Sequence, residues 1–153
     1  MTPIDDHRMT GPYLRTLDSF YDAEKRYVAA GGRQAGADFG ELAAHFHPDI
    51  IVHQGPTVPF GGDWYGIEAV ERFFAVFTDT WSSLDLTDIR SFEGDTGVAI
   101  TMRMRATARN SGQHLDTRVG HFYLFENGLI REITVFYLDP VGLAQVTGPA
   151  ALA

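Results

Sequence analysis

No cysteine occurs among the 153 residues of the chain. Its absence excludes disulfides, thiolate zinc sites, iron–sulfur clusters and cysteine nucleophiles together. Lysine is almost missing too, Lys25 being the single lysine among twelve basic residues, and twenty acidic residues bring the net charge to -8. A nucleic-acid binder or a protein that docks on an anionic membrane needs a basic face to replace counterions, so both classes are disfavoured. Apolar runs fall far short of the 18 or so residues of a membrane span. The first residues, Met1 to Gly11, are polar and resemble no secretory signal. A soluble cytoplasmic protein is therefore expected. Gly61-Gly62 lacks the spacing of a phosphate loop, and no serine sits in a nucleophile-elbow context. Cofactor-free proton transfer is the chemistry left.

What is present is enough for one domain with a real core: 44% of residues are hydrophobic. Between Pro12 and Ala30 the residues Leu14, Leu17, Phe20, Tyr21, Tyr27 and Val28 recur at helical spacing, and Gly31-Gly32 ends that helix. A second short helix is expected from Asp38, with Asp38 and Glu41 at capping-box spacing and Phe39, Leu42 and Phe46 buried, ending at Pro48. Asp49 to Gln54 reads as a strand that runs into a Gly/Pro-rich loop, Gly55 to Gly62. Gly66 then opens a third helix with the stripe Ile67, Val70, Phe73, Phe74 and Phe77. After Trp81 the period changes. Four strands follow, Leu84 to Phe92, Val98 to Ala108, Leu115 to Phe125 and Ile130 to Leu138, with turns at Glu93-Gly94-Asp95, Asn110-Ser111-Gly112 and Asn127-Gly128. Residues 1–11 are expected as a flexible tail, 12–142 as a single domain and 143–153 as a small, apolar, loose tail.

Helices followed by an antiparallel meander define an α+β class in which three helices pack on one side of a curved sheet. A concave sheet face that three helices do not fill leaves a pocket.

This order of elements resembles the nuclear transport factor 2-like superfamily, and in particular its SnoaL-like and ketosteroid isomerase-like members, over roughly Leu14 to Asp139. The segment Arg26-Tyr27-Val28-Ala29-Ala30 is similar to the first-helix segment of ketosteroid isomerase, in which the tyrosine donates to the oxyanion. Gly66-Ile67-Glu68-Ala69-Val70 is similar to the superfamily's glycine-led helix start. Tyr137-Leu138-Asp139 resembles the terminal Tyr-Phe-Asp of limonene-epoxide hydrolases, whose aspartate acts as base on water. The resemblance stops at the customary carboxylates: Gln54 and Gly120 stand at the two isomerase acid positions, and Arg103-Met104-Arg105 replaces the hydrolase Arg-x-Asp pair.

The resemblance implies a cone-shaped fold, no cofactor, a small hydrophobic molecule as partner and a homodimer across the outer sheet face. Asp139, His53 and Tyr27 are the expected catalytic residues. Ile133, Val135, Tyr137 and Asp139 share one strand face, which puts Asp139 at the pocket rim as general acid or base. His53 titrates near neutral pH and suits proton shuttling, although Val52 and Gln54 share one strand face with His53 on the other, and the resemblance turns Gln54 inward. Tyr27 would polarise a substrate oxygen, the preorganised donor effect for which ketosteroid isomerase is a standard example.

The expected substrate-contacting residues are Gln54, Tyr137, Arg118, His121, Phe122, Met102 and Trp81. On the strand from Leu115 to Phe125, Arg118, Gly120 and Phe122 share one face and His121 and Tyr123 the other; the resemblance turns the first set inward and brings Arg118 toward Asp139. Arg103 and Arg105 are expected outside. His45 and His47 lack a third ligand, so no metal site is expected.

The function these residues suggest is isomerisation, cyclisation or dehydration of a cyclic or polyketide-like molecule. A non-catalytic binding or assembly module, and epoxide hydrolase-like water addition, are the alternatives.

Overall fold

A computed structural model describes residues 11–148. The expected tail at 1–11 lies outside these residues except for Gly11, and 149–153 likewise lie outside them.

Helix α1 spans Pro12–Ala29, with proline in its first turn, where the ring replaces no needed N–H donor. It buries Leu14, Leu17, Phe20, Ala23 and Tyr27. Gly32 stops it at positive φ, its N–H returning to the Tyr27 carbonyl at 3.0 Å. A 3-10 turn at Arg33–Ala35 leads to α2, Gly40–Ala43. This helix is shorter than expected because the chain enters strand β1, Phe46–Gln54, already at Phe46. A register shift between Phe46 and Ile51 breaks the strand's alternation and makes its start read as a helix end.

The loop after β1 returns as a short strand, β2, Gly62–Tyr65, which pairs antiparallel with β1. No apolar alternation marks it, so pattern alone reads it as loop. Gly66 at φ 85° opens α3, Ile67–Thr80, which buries Val70, Phe73 and Phe74. From there the chain passes directly into β3, Trp81–Glu93, then β4, Gly97–Ala108, β5, His114–Glu126, and β6, Leu129–Tyr137. Asn127 and Gly128, both at positive φ, make the β5–β6 turn.

The six strands form one sheet in the order β2-β1-β6-β5-β4-β3, antiparallel throughout except for the parallel β1–β6 pair. Strand β4 shows the division of faces most clearly. Val98, Ile100, Met102, Met104, Ala106 and Ala108 are buried under the helices, whereas Arg103 and Arg105 lie outside with Asp116. Residues 143–147, expected in a loose tail, instead belong to α4, Pro140–Thr147, which buries Leu143 and Val146. Ser111 of the β4–β5 turn donates to the Val146 carbonyl at 2.6 Å and ties this helix to the sheet.

Candidate functional site

Between α1, α3 and the inner sheet face lies a cavity of about 70 Å³. Its apolar wall includes Phe20, Val52, Phe73, Phe74, Val119, Ile133 and Val135. Leu84 is exposed and Leu86, Phe77, Tyr21 and Glu24 are partly exposed, so these residues mark its mouth.

The polar groups in this cavity come from two elements in contact and two opposite. On α1, Tyr21 and Glu24 stand three residues apart, and that spacing puts them on one helix face. On β5, His121 and Tyr123 stand two apart and face the same way. The Tyr21 and Tyr123 hydroxyls are 2.6 Å apart, and His121 Nδ1 lies 3.1 Å from the Tyr123 hydroxyl. A continuous chain of hydrogen bonds thus runs His121, Tyr123, Tyr21. Across the cavity, Gln54 from β1 and Tyr137 from β6 complete the polar set.

Burial dominates the electrostatics here. Desolvation raises the Glu24 carboxyl to about 7, with neighbouring Lys25 working weakly against it. No hydrogen bond or ion pair joins that carboxyl to another described residue. Desolvation also pushes His121 down to about 4, so its imidazole is neutral at physiological pH. The hydroxyls of Tyr21 and Tyr123 are held above the ordinary phenol range, again by burial first. Burial raises the Tyr137 hydroxyl as well, while the Gln54 amide opposes the shift.

The sequence-predicted residues divide sharply across the sheet. Gln54, Tyr137 and His121 line the cavity. Asp139 does not: it is exposed, and its carboxylate accepts from the Gly142 N–H at 2.9 Å as the N-cap of α4. Strand alternation stops being a guide at this point because the chain leaves β6 at Tyr137. His53 lies on the opposite face of β1 from Gln54. Its Nδ1 meets Asp63 at 2.6 Å and its Nε2 meets Glu132 at 2.7 Å, so both ring nitrogens are engaged. Partial burial works against charging this ring, but the two carboxylates prevail and its pKa is raised.

Tyr27 is buried against the edge of Phe39, 5.5 Å between rings, and is not in the cavity wall. Six residues along a helix of 3.6 per turn rotate it about 120° away from Tyr21. The cavity tyrosine of α1 is thus Tyr21.

The inward face of β5 also differs from expectation. Arg118, Gly120 and Phe122 point outward, because His121 pairs with Ile100 and Val135, and Val119 with Met102 and Tyr137. Arg118 does share an outer groove with Asp139, but it pairs with Asp88 at 2.9 Å. Phe122 packs edge-on against Phe136 on that outer face. Met102 and Trp81 are buried in the core beside the cavity and do not line it.

His45 and His47 are tied locally. His45 bridges Ser19 at 2.9 Å and the Glu41 carbonyl at 3.0 Å, and His47 Nδ1 accepts from the Asp49 N–H at 3.0 Å. Among the described residues no group of three or more metal-ligating side chains converges, and no helix is long and apolar enough to cross a membrane.

Sequence reasoning missed Glu24 and gave Tyr21 only a packing role. The signal was nevertheless there: the stripe Leu14, Leu17, Phe20/Tyr21, Tyr27/Val28 skips one turn, and the residue that occupies the gap is a glutamate.

Helices over the inner face of a six-stranded sheet, with a cavity between, are the architecture of the nuclear transport factor 2-like proteins. An NTF2-like protein from Burkholderia xenovorans LB400 superposes with a TM-score of 0.77 at 13% identity, covering 90% of this chain and 96% of that one. TerC, crystallised with polyporic acid, superposes with a TM-score of 0.68 at 15% identity over 90% of this chain and 98% of its own. A protein from Jannaschia sp. CCS1 assigned as a SnoaL-like polyketide cyclase gives 0.61 at 15% identity, covering 86% of this chain and 94% of that one. Within this fold, the model of the SnoaL-like domain matches residues 17–133, and the chain belongs to that family. A comparison with curated proteins finds no significant match.

Proposed function

We propose that this SnoaL-like protein is a cofactor-independent acid–base enzyme that enolises a small, largely apolar carbonyl compound in the course of an isomerisation, cyclisation or dehydration. The observation that carries this reading is Glu24, a carboxyl raised to about 7 in the same cavity as the His121–Tyr123–Tyr21 chain. A base whose pKa is near the working pH is ionised in about half of the molecules and still accepts a proton effectively.

One arrangement of protons makes the chain productive. Neutral His121 donates its Nδ1–H to the Tyr123 oxygen, Tyr123 donates to the Tyr21 oxygen, and the Tyr21 O–H is left to donate into the cavity. A substrate carbonyl accepting that O–H would gain negative charge as Glu24 removes a proton from the adjacent carbon. The donor chain stabilises this developing enolate in a site walled largely by apolar side chains, where fixed dipoles act strongly. Return of the proton from Glu24 to a different carbon completes an isomerisation, and its use on a departing hydroxyl completes a dehydration.

The cavity of about 70 Å³ takes a reacting group rather than a fused ring system. The remainder of a larger molecule would lie at the mouth against Leu84, Leu86 and Phe77. An apolar cavity with His53 and Asp139 turned outward would favour a non-catalytic binding module; both residues do lie outside the cavity, but Glu24, Tyr21, Tyr123 and His121 supply the polar groups that favour the acid–base reading.

Carbon-13 NMR titration of the Glu24 carboxyl tests the reading directly, with a midpoint near 7 expected. The α-protons of 4-hydroxybutan-2-one should exchange into D2O faster with the wild-type protein than with Glu24→Gln. An ordinary carboxylate midpoint together with equal exchange rates would remove Glu24 as the base.

A further inference from the structure

Gln54 and Tyr137 are the cavity polar groups that the acid–base reading leaves without a task, and Gln54 is the one with an unpartnered atom. It is 8% exposed, and its Oε1 is fully shielded from solvent with no hydrogen-bond partner. Buried acceptors are nearly always satisfied, and leaving one unmade costs about 1–3 kcal/mol. The other two buried orphans among the described residues, the Tyr27 hydroxyl and Trp81 Nε1, lie outside the cavity wall. Only Gln54 combines the deficit with a place in the cavity wall.

The chemistry of the neighbours defines what would satisfy it. The Gln54 amide opposes the upward shift of the adjacent Tyr137 hydroxyl, and its Oε1 is left without a donor. An amide oxygen accepts and does not donate. Of the cavity wall shared with Gln54, Val52, Ile133 and Val135 offer no donor, and the Tyr137 hydroxyl is not bonded to Oε1. On the α1 and β5 side the polarity is reversed, since the Tyr21–Tyr123 pair presents an O–H.

We propose that Gln54 determines substrate specificity, and that the substrate is a hydroxy-carbonyl compound or its enol, whose own O–H is donated to Gln54 Oε1 while its carbonyl faces Tyr21. This rests on the acid–base reading for the Tyr21 end only. A ketone without the hydroxyl, or its methyl ether, would leave Oε1 unpaired in the complex, and a site built to bond a hydroxyl rejects analogues lacking it much more strongly than an apolar pocket rejects an extra methylene.

The test uses 4-hydroxybutan-2-one and 4-methoxybutan-2-one, with binding measured by ligand-observed NMR on the intact protein. Wild type should bind the hydroxy ketone at least tenfold more tightly than the ether. Gln54→Met, which keeps the side chain's length without an acceptor, should remove that preference, and Gln54→Glu, which restores an acceptor, should recover it. Equal affinity for the two ketones in wild type, binding of neither, or a preference that survives Gln54→Met would each overturn the proposal. Because the measurement is of binding, it is separate from the Glu24 titration: a carboxyl midpoint near 7 with no hydroxyl preference sinks the role of Gln54 alone.

Discussion

Glu24 and His121 share one cavity and are shifted in opposite directions by the same cause. Burial penalises the charged form of each, which raises an acid and lowers a base. For Glu24 the folded value lies above the unfolded one, so its contribution to stability is complete below about pH 4.5 and is lost as pH rises to about 7. Replacing it by glutamine removes that loss. Glu24→Gln should therefore match wild type near pH 4 and exceed it above pH 7 by on the order of 2–3 kcal/mol, at about 1.4 kcal/mol per pKa unit. Urea denaturation at a series of pH values reads the difference, and a constant offset between the two proteins would contradict the assigned shift. His121 acts in the reverse sense: its stabilising effect is present above about pH 6.5 and lost as pH falls toward about 4. Of these residues, Gln54 was legible from parity with Val52 only together with the family resemblance that turns their face inward. His121 was not, because its strand carries apolar and polar groups on both faces and only the pairing partners Ile100 and Val135 decide which side is inner.

At the scale of elements, the end of β6 shows how a site-like motif serves as a structural one. Tyr137 reaches the cavity, and two residues later Asp139 caps α4. Its carboxylate sits so close to Gly142 that a Cβ there would lie 2.2 Å from Oδ2. Asp139→Ala should lower stability by about 1 kcal/mol, the usual worth of an N-cap, and leave the affinity for 4-hydroxybutan-2-one unchanged. Denaturant midpoints and the same ligand-observed NMR measure the two effects; a loss of binding without loss of stability would return Asp139 to the site. The long elements were legible because their periodicity is strong: α1, α3 and the four strands of the meander lie within a few residues of their expected bounds. Strand β2 and helix α4 were not. One is four residues without alternation, and the other is apolar on all sides, so neither has a period to read.

For the whole molecule, the outer sheet face is the surface that a single copy leaves unexplained. Phe92, Phe122, Leu124, Phe136 and Leu138 are all more than 40% exposed there. Around them run paired charges, Arg103 with Asp116 and Arg118 with Asp88, which cancel rather than repel. Contiguous exposed apolar groups of this kind mark association surfaces. We expect this face to join two copies of the chain. Sedimentation equilibrium should give a dimer for wild type and a monomer for the double substitution Phe122→Asp, Phe136→Asp, and a monomeric wild type would leave the patch without that role. Fold class and helix placement were legible at this scale because they follow from element order. The allocation of side chains to inner and outer faces was legible for β4, with Arg103 and Arg105 outside, but not for β5, where exposed Phe122 looks in sequence like an inner residue.

The parallel β1–β6 pair has a consequence for the chain as it is made. Strand β1 is translated early, yet its second edge finds its partner only when residues 129–137 follow, more than 70 residues later. Until then Ile50 and Val52 can pair only with the four residues of β2. The first half of the protein therefore spends most of synthesis with an open sheet edge and an unfilled concavity, and closure of the sheet is a late, long-range event of the kind that folds slowly.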